Sequence, residues 1–111
     1  MRVVVAWRSC YYVLMIISFR DKATEDLFNG EGSKQARKSC PQSIWNIVRR
    51  KLDQLDSVTM LDELKIPPGN RLELLKGLRV GEYSIRINQK YRICFIWSDS
   101  GPIDVEVTDY H

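Results

Sequence analysis

Apolar and polar residues alternate with a period of two through three successive segments at the end of the chain. Tyr83, Ile85 and Ile87 alternate with Ser84, Arg86 and Asn88; Tyr91, Ile93, Phe95 and Trp97 alternate with Arg92, Cys94 and Ile96. Ile103, Val105 and Val107 then alternate with Asp104, Glu106 and Thr108. Strict alternation of this kind predicts half-buried antiparallel strands, here a three-stranded meander. Register follows, because directly opposed residues face the same side and a one-residue slip would turn the apolar face to water. Looping out Asn88-Gln89-Lys90 opposes Ile87 with Tyr91, Ile85 with Ile93 and Tyr83 with Phe95. Looping out Ser98 to Pro102 opposes Trp97 with Ile103 and Phe95 with Val105. Arg86 then faces Arg92, Arg92 faces Thr108, and Tyr110 lies beside Lys90 on the polar face.

The period changes upstream. From Gln42 or Ser43 to about Asp56, Ile44, Trp45, Ile47, Val48, Leu52 and Leu55 fall on one face of a 3.6-residue repeat, which predicts a helix packed on the sheet. Asp21 is placed to cap a shorter helix running to roughly Phe28, with Ala23, Leu27 and Phe28 as its apolar side. Ile16-Ile17-Ser18-Phe19 reads as a short strand before it, and Arg71–Lys76 as another before the meander. Asn29 to Ser33, Cys40-Pro41 and Pro67-Pro68-Gly69-Asn70 break the chain between elements, and Met60 to Leu64 suggests one further helical turn. Counting only the meander after the helices, the order is β-α-α-β-β-β, an α+β fold with an antiparallel sheet packed on two helices.

Composition narrows the class. With 111 residues, 44% hydrophobic and 28% charged, the chain has the makings of one ordered domain. Three cysteines (Cys10, Cys40, Cys94) at unrelated spacings indicate neither a disulfide framework nor a zinc site, so a reduced cytoplasmic setting with no metal is expected. The apolar stretch 1–17 is too short to span a bilayer and is broken by Arg8, so no membrane association is expected. Met15 is instead read as the natural start, with residues 1–14 an upstream extension outside the fold and 15–111 the single domain.

The net charge is only +3, but it is segregated. Residues 33–52 carry Lys34, Arg37, Lys38, Arg49, Arg50 and Lys51 and no acid. Residues 65–98 carry Lys65, Arg71, Lys76, Arg79, Arg86, Lys90 and Arg92 against Glu73 and Glu82. Such segregation suggests a surface facing a polyanion. Two directly opposed arginines are unfavourable unless an anion relieves them, either Glu106 and Asp104 on the same face or a bound phosphate backbone. The lone histidine, His111, ends the chain beside Tyr110 and Asp109, three groups able to hold or move a proton.

These stretches together resemble a known family, the HigB-type toxins of bacterial toxin–antitoxin pairs within the RelE/ParE superfamily. The resemblance is carried by MIISFRDKATEDLF (15–28), PPGNRLELLKG (67–77), YSIRIN with YRICFIW (83–97) and GPIDVEVTDYH (101–111). It implies cleavage of messenger RNA on the ribosome without a metal or other cofactor, and a HigA-type helix-turn-helix antitoxin as partner. It also implies that DNA would be bound only through that antitoxin. Matching the family's motif implies Lys76, Arg92, Asp109, Tyr110 and His111 as the catalytic group, with Arg92 on the scissile phosphate and Lys76 adding positive charge. Tyr110 would stack on a base or position the ribose, Asp109 would orient His111 or accept a proton, and His111 would serve as acid or base. Some members carry histidine where this chain has Glu73, leaving that carboxylate either a base or a structural residue. Arg71, Arg79, Arg86, Lys90, Arg49 and Arg50 complete the expected RNA- and ribosome-binding surface. The alternative within the superfamily is a ParE-like inhibitor that binds DNA gyrase without catalysis; a third is an RNA-binding regulator that does not cut.

Overall fold

The computed structural model describes residues 15–109; residues 1–14, Tyr110 and His111, with the readings made of them, lie outside. Asp21 caps the first helix, α1 (Lys22–Asn29), its Oδ1 accepting from the Thr24 amide at 2.8 Å, and Gly30 ends it in the left-handed region at φ 77°. The buried side of α1 is formed by Thr24, Asp26 and Leu27. Two of these are polar, each with a side-chain partner outside the helix; of the expected apolar residues Phe28 packs against the core while partly exposed, and Ala23 is not buried. Thr24 Oγ1 accepts from the Val107 amide at 3.0 Å, and Asp26 Oδ2 accepts from Ser33 Oγ at 2.6 Å.

Ser33 also accepts from the Ala36 amide at 3.1 Å and so opens α2 (Lys34–Ser39). The polar, basic composition of 34–38 concealed this helix. It is six residues long and has a single buried residue, Ala36, so its stability comes from docking rather than from an apolar face. A 3-10 turn over Gln42–Ile44 leads into α3 (Trp45–Ser57), later than the expected start. Val48, Leu52 and Leu55 are completely buried, whereas Ile47 is 38% exposed and lies on the rim.

The sheet has four antiparallel strands in sequential order: β1 (Glu73–Leu74), β2 (Tyr83–Arg86), β3 (Tyr91–Ser98) and β4 (Gly101–Asp109). β1 holds only the middle of the expected 71–76 strand. The β2–β3 register is the one derived from alternation, with Tyr83, Ile85 and Arg86 opposite Phe95, Ile93 and Arg92. The β3–β4 register agrees at Arg92–Thr108 and Ile93–Val107, then shifts. Trp97 faces Pro102 and Ile96 faces Ile103, joined by a turn at Asp99-Ser100 rather than a five-residue loop. An extra residue in β4 absorbs the difference, and Asp104 there takes a positive φ of 53°.

Residues 17–20 run parallel to β4, with Ile17 N donating to Pro102 O (2.8 Å) and Arg20 N to Val105 O (2.9 Å). Gly101 permits this approach: a Cβ there would stand 2.3 Å from the Met15 carbonyl oxygen. The core fills the space between the helices and one sheet face, with Leu27, Val48, Leu52 and Leu55 against Ile85, Ile93, Phe95 and Val105. The opposite face is left for polar residues. Among the described residues, no helix is long and apolar enough to cross a membrane.

Candidate functional site

Register brings Glu73, Ser84, Cys94 and Glu106 into one row across the polar face, with Arg86, Arg92 and Thr108 in the next. Arg92 leans out of its row toward Ser84. Its Nε donates to Ser84 Oγ at 2.7 Å, and its Nη2 donates to the Arg71 carbonyl at 2.8 Å. Glu73 Oε2 stands 3.9 Å from the same Nη2. The Arg92 side chain is only 11% exposed, so these partners, rather than water, set the direction of its guanidinium. Nη1 has no hydrogen-bond partner among the described residues and is left for an incoming acceptor.

The Arg71 carbonyl has its own support. Pro68–Asn70 form a 3-10 turn, and Arg71 follows it in the left-handed conformation, φ 45° and ψ 60°. This turn carries its backbone oxygen onto the polar face, while the Arg71 side chain remains exposed.

A second cluster lies beside the first. Arg79 pairs with Glu82 and Glu106, each at 3.0 Å, and Arg20 reaches the same carboxylates at 3.5 and 3.4 Å. This network pins the 3-10 turn Gly77–Arg79 to the sheet, and Lys76 stands exposed immediately before that turn. Beneath it the Cys94 thiol is completely buried; burial pushes its pKa up to about 11, against the opposing pull of Arg79. Glu106, one of the two acids expected to relieve the opposed arginines, is thus taken by Arg79 and Arg20. The proposed surface pairing of Arg86 with Glu106 is not found: Arg86 Nε donates instead to the Asn88 carbonyl at 3.1 Å.

The remaining expected site residues are spread more widely. Asp109 lies opposite Tyr91, one pleat away from the Arg92 row, with Lys90 Nζ 3.6 Å from its carboxylate. Lys90 also sits 5.5 Å from the centre of the Tyr91 ring. Arg49 and Arg50 are exposed on α3; the Arg49 guanidinium lies over Gly30, and Arg50 borders a cleft it shares with Gly69 and Ile87. No group of three His, Cys, Asp or Glu suited to a metal ion occurs among the described residues.

Two residues of the site were missed in the sequence, Ser84 and Asn70. Ser84 was recoverable, being the diagonal neighbour of Arg92 in the derived register. Asn70 carried no signal beyond that of a helix breaker.

Comparison with known proteins gives a consistent picture. The family model for the RelE-like toxin of the type II toxin–antitoxin system HigB matches residues 17–111. Toxin HigB-1 of Vibrio cholerae serotype O1 is 44% identical over 85 residues, which is 77% of this chain and 86% of that protein. An uncharacterised protein of Haemophilus influenzae is 33% identical over 60 residues, 54% of this chain and 59% of its own length.

Proposed function

The chain belongs to the HigB-like family, RelE-like toxins of type II toxin–antitoxin systems, and on that premise we propose that it is an endoribonuclease that cuts messenger RNA on the ribosome and so inhibits translation. The observation that carries this reading is Arg92, a largely buried guanidinium held from two sides on the polar sheet face, with a carboxylate 3.9 Å away.

The reaction needs few parts. A base takes the proton of the 2′-hydroxyl, whose oxygen then attacks the adjacent phosphorus. The bond to the 5′-oxygen breaks, an acid protonates that oxygen, and the products are a 2′,3′-cyclic phosphate and a 5′-hydroxyl. Negative charge builds on the phosphate oxygens in between, and a preorganised cation there lowers the barrier most effectively. Arg92 fills this role, its planar guanidinium offering directed donors that a lysine lacks. Lys76 adds positive charge from the neighbouring turn. Glu73, on the same face as Arg92, and His111, the chain's one imidazole, share the proton transfers. Tyr110 stacks on a base or positions the ribose, and Asp109 orients His111. Nothing in this scheme requires a metal ion.

Membership of a type II family implies an antitoxin partner. We assign it as a HigA-type helix-turn-helix protein through which the complex binds DNA, with the toxin acting on ribosomes in the cytoplasm. The test is incubation with translating ribosomes followed by mapping of messenger ends. Cuts that disappear in Arg92→Ala and His111→Ala support the reading. No cut, or cuts unchanged in both variants, overturns it, and gyrase-dependent DNA breaks would point to the ParE-like alternative.

A further inference from the structure

We propose that Asn70 is a positioning residue for Arg92, acting through the Arg71 carbonyl. Asn70 is completely buried, and its amide is fully engaged. Nδ2 donates to the Leu64 carbonyl and to Gln54 Oε1, both at 3.1 Å, and Oδ1 accepts from Lys51 Nζ. Gln54 Nε2 in turn donates to the Ile66 carbonyl at 2.7 Å. These bonds fasten the turn over Pro68–Asn70 to α3 on one side and to the 3-10 turn Leu61–Lys65 on the other. A residue serving only to fill this space would be apolar, since burying an amide is unfavourable unless every polar atom finds a partner.

The next residue shows what the fastening secures. Arg71 is left-handed at φ 45°, a conformation that side-chain-bearing residues keep only where their surroundings impose it. Asn70 fixes the chain just before it, and the β1–β2 pairing at Glu73–Ser84 fixes it just after. Between the two, the Arg71 carbonyl accepts from Arg92 Nη2 at 2.8 Å. Ser84 holds the other end of the same guanidinium, so the phosphate-facing donors take their aim from a polar chain that begins on α3. The inference rests on Arg92 as the phosphate-holding group.

The experiment reads the geometry separately from activity. Hydrogen exchange at the arginine Nη–H groups, which carry the bonds of Arg92 to the Arg71 carbonyl and of Arg79 to its carboxylates, is followed by NMR in the full chain, for wild type, Asn70→Asp and Lys51→Met. Asn70→Asp is isosteric but loses the donors to Leu64 and Gln54; Lys51→Met removes only the donor to Oδ1. Exchange at Arg92 is expected to rise roughly tenfold, the protection of about one hydrogen bond, with Arg79 unchanged. Messenger cleavage should lose kcat in the same order, with KM little altered. Unchanged exchange at Arg92 in folded Lys51→Met, or equal loosening of Arg92 and Arg79, overturns the proposal. If wild type cuts no RNA, the functional reading falls, and the exchange data still decide whether Asn70 sets Arg92.

Discussion

Arg86 and Arg92 stand directly opposite each other in the sheet, yet their guanidinium groups are drawn in opposite directions along β2. Arg92 Nε turns back to Ser84, two residues before Arg86, and Arg86 Nε turns forward to the carbonyl of Asn88, two residues after it. Opposed cations are thereby separated by hydrogen bonds rather than by an acid placed between them. Of the two, Arg92 is the one held by two residues with a carboxylate beside it, and this makes it the centre of the candidate site.

Arg92→Lys keeps the charge but cannot bond Ser84 and the Arg71 carbonyl together. Messenger cleavage is expected to fall by about 10²–10³, the loss typical of removing an oriented donor from a developing charge. Ser84→Ala leaves Nε–H unpaired and should cost roughly tenfold. Rates measured with translating ribosomes check both, and equal activity of Arg92→Lys and wild type would show that direction is unimportant there.

Glu106 accepts from Arg79 and lies 3.4 Å from Arg20. Glu106→Ala leaves Arg79 and Arg20 to share Glu82 and should destabilise the fold by about 1–3 kcal/mol in urea unfolding. Removing the cation as well, in Arg79→Met with Glu106→Ala, should recover part of that loss, because it relieves the repulsion of two guanidinium groups sharing Glu82.

Asp26 is held below the usual carboxylate range, first by the Ser33 hydroxyl and then by Lys22. A carboxylate depressed in the folded state stabilises the fold above its unfolded pKa of about 3.9, and that contribution is lost as pH falls through the folded value. Thermal melts should therefore show Asp26→Asn less stable than wild type at pH 7, with the gap closing in acid. A gap that stays constant down to pH 2 would contradict this assignment.

Cys94 has its thiol pushed up to about 11 by burial, and burial also raises Cys40. The nucleophile is the thiolate, so neither residue should be alkylated by iodoacetamide at pH 8 in the native protein. Both should label fully in guanidinium chloride, with peptide mass spectrometry assigning the positions. Rapid native labelling of Cys94 would mean that the face beneath Arg79 opens.

Much of this protein is settled locally. Alternation along 83–97 determines the β2–β3 register, and with it the opposition of Arg86 and Arg92, because a pleated strand with one buried face tolerates no slip. Asp21 is legible as a helix cap, and the 3.6-residue repeat over 44–55 as a packed helix. The tertiary structure decides what depends on partners distant in the chain. Thr24 and Asp26 are buried because Val107 and Ser33 satisfy them; α2 forms because Ser33 caps it and Ala36 docks. The bulge at Asp104 resets the register near the turn. Arg92 shows the division most clearly. Its place on the polar face follows from alternation alone. Its direction depends on Ser84, the left-handed Arg71 and the buried Asn70, since a hydrogen bond is fixed by where both partners finally stand.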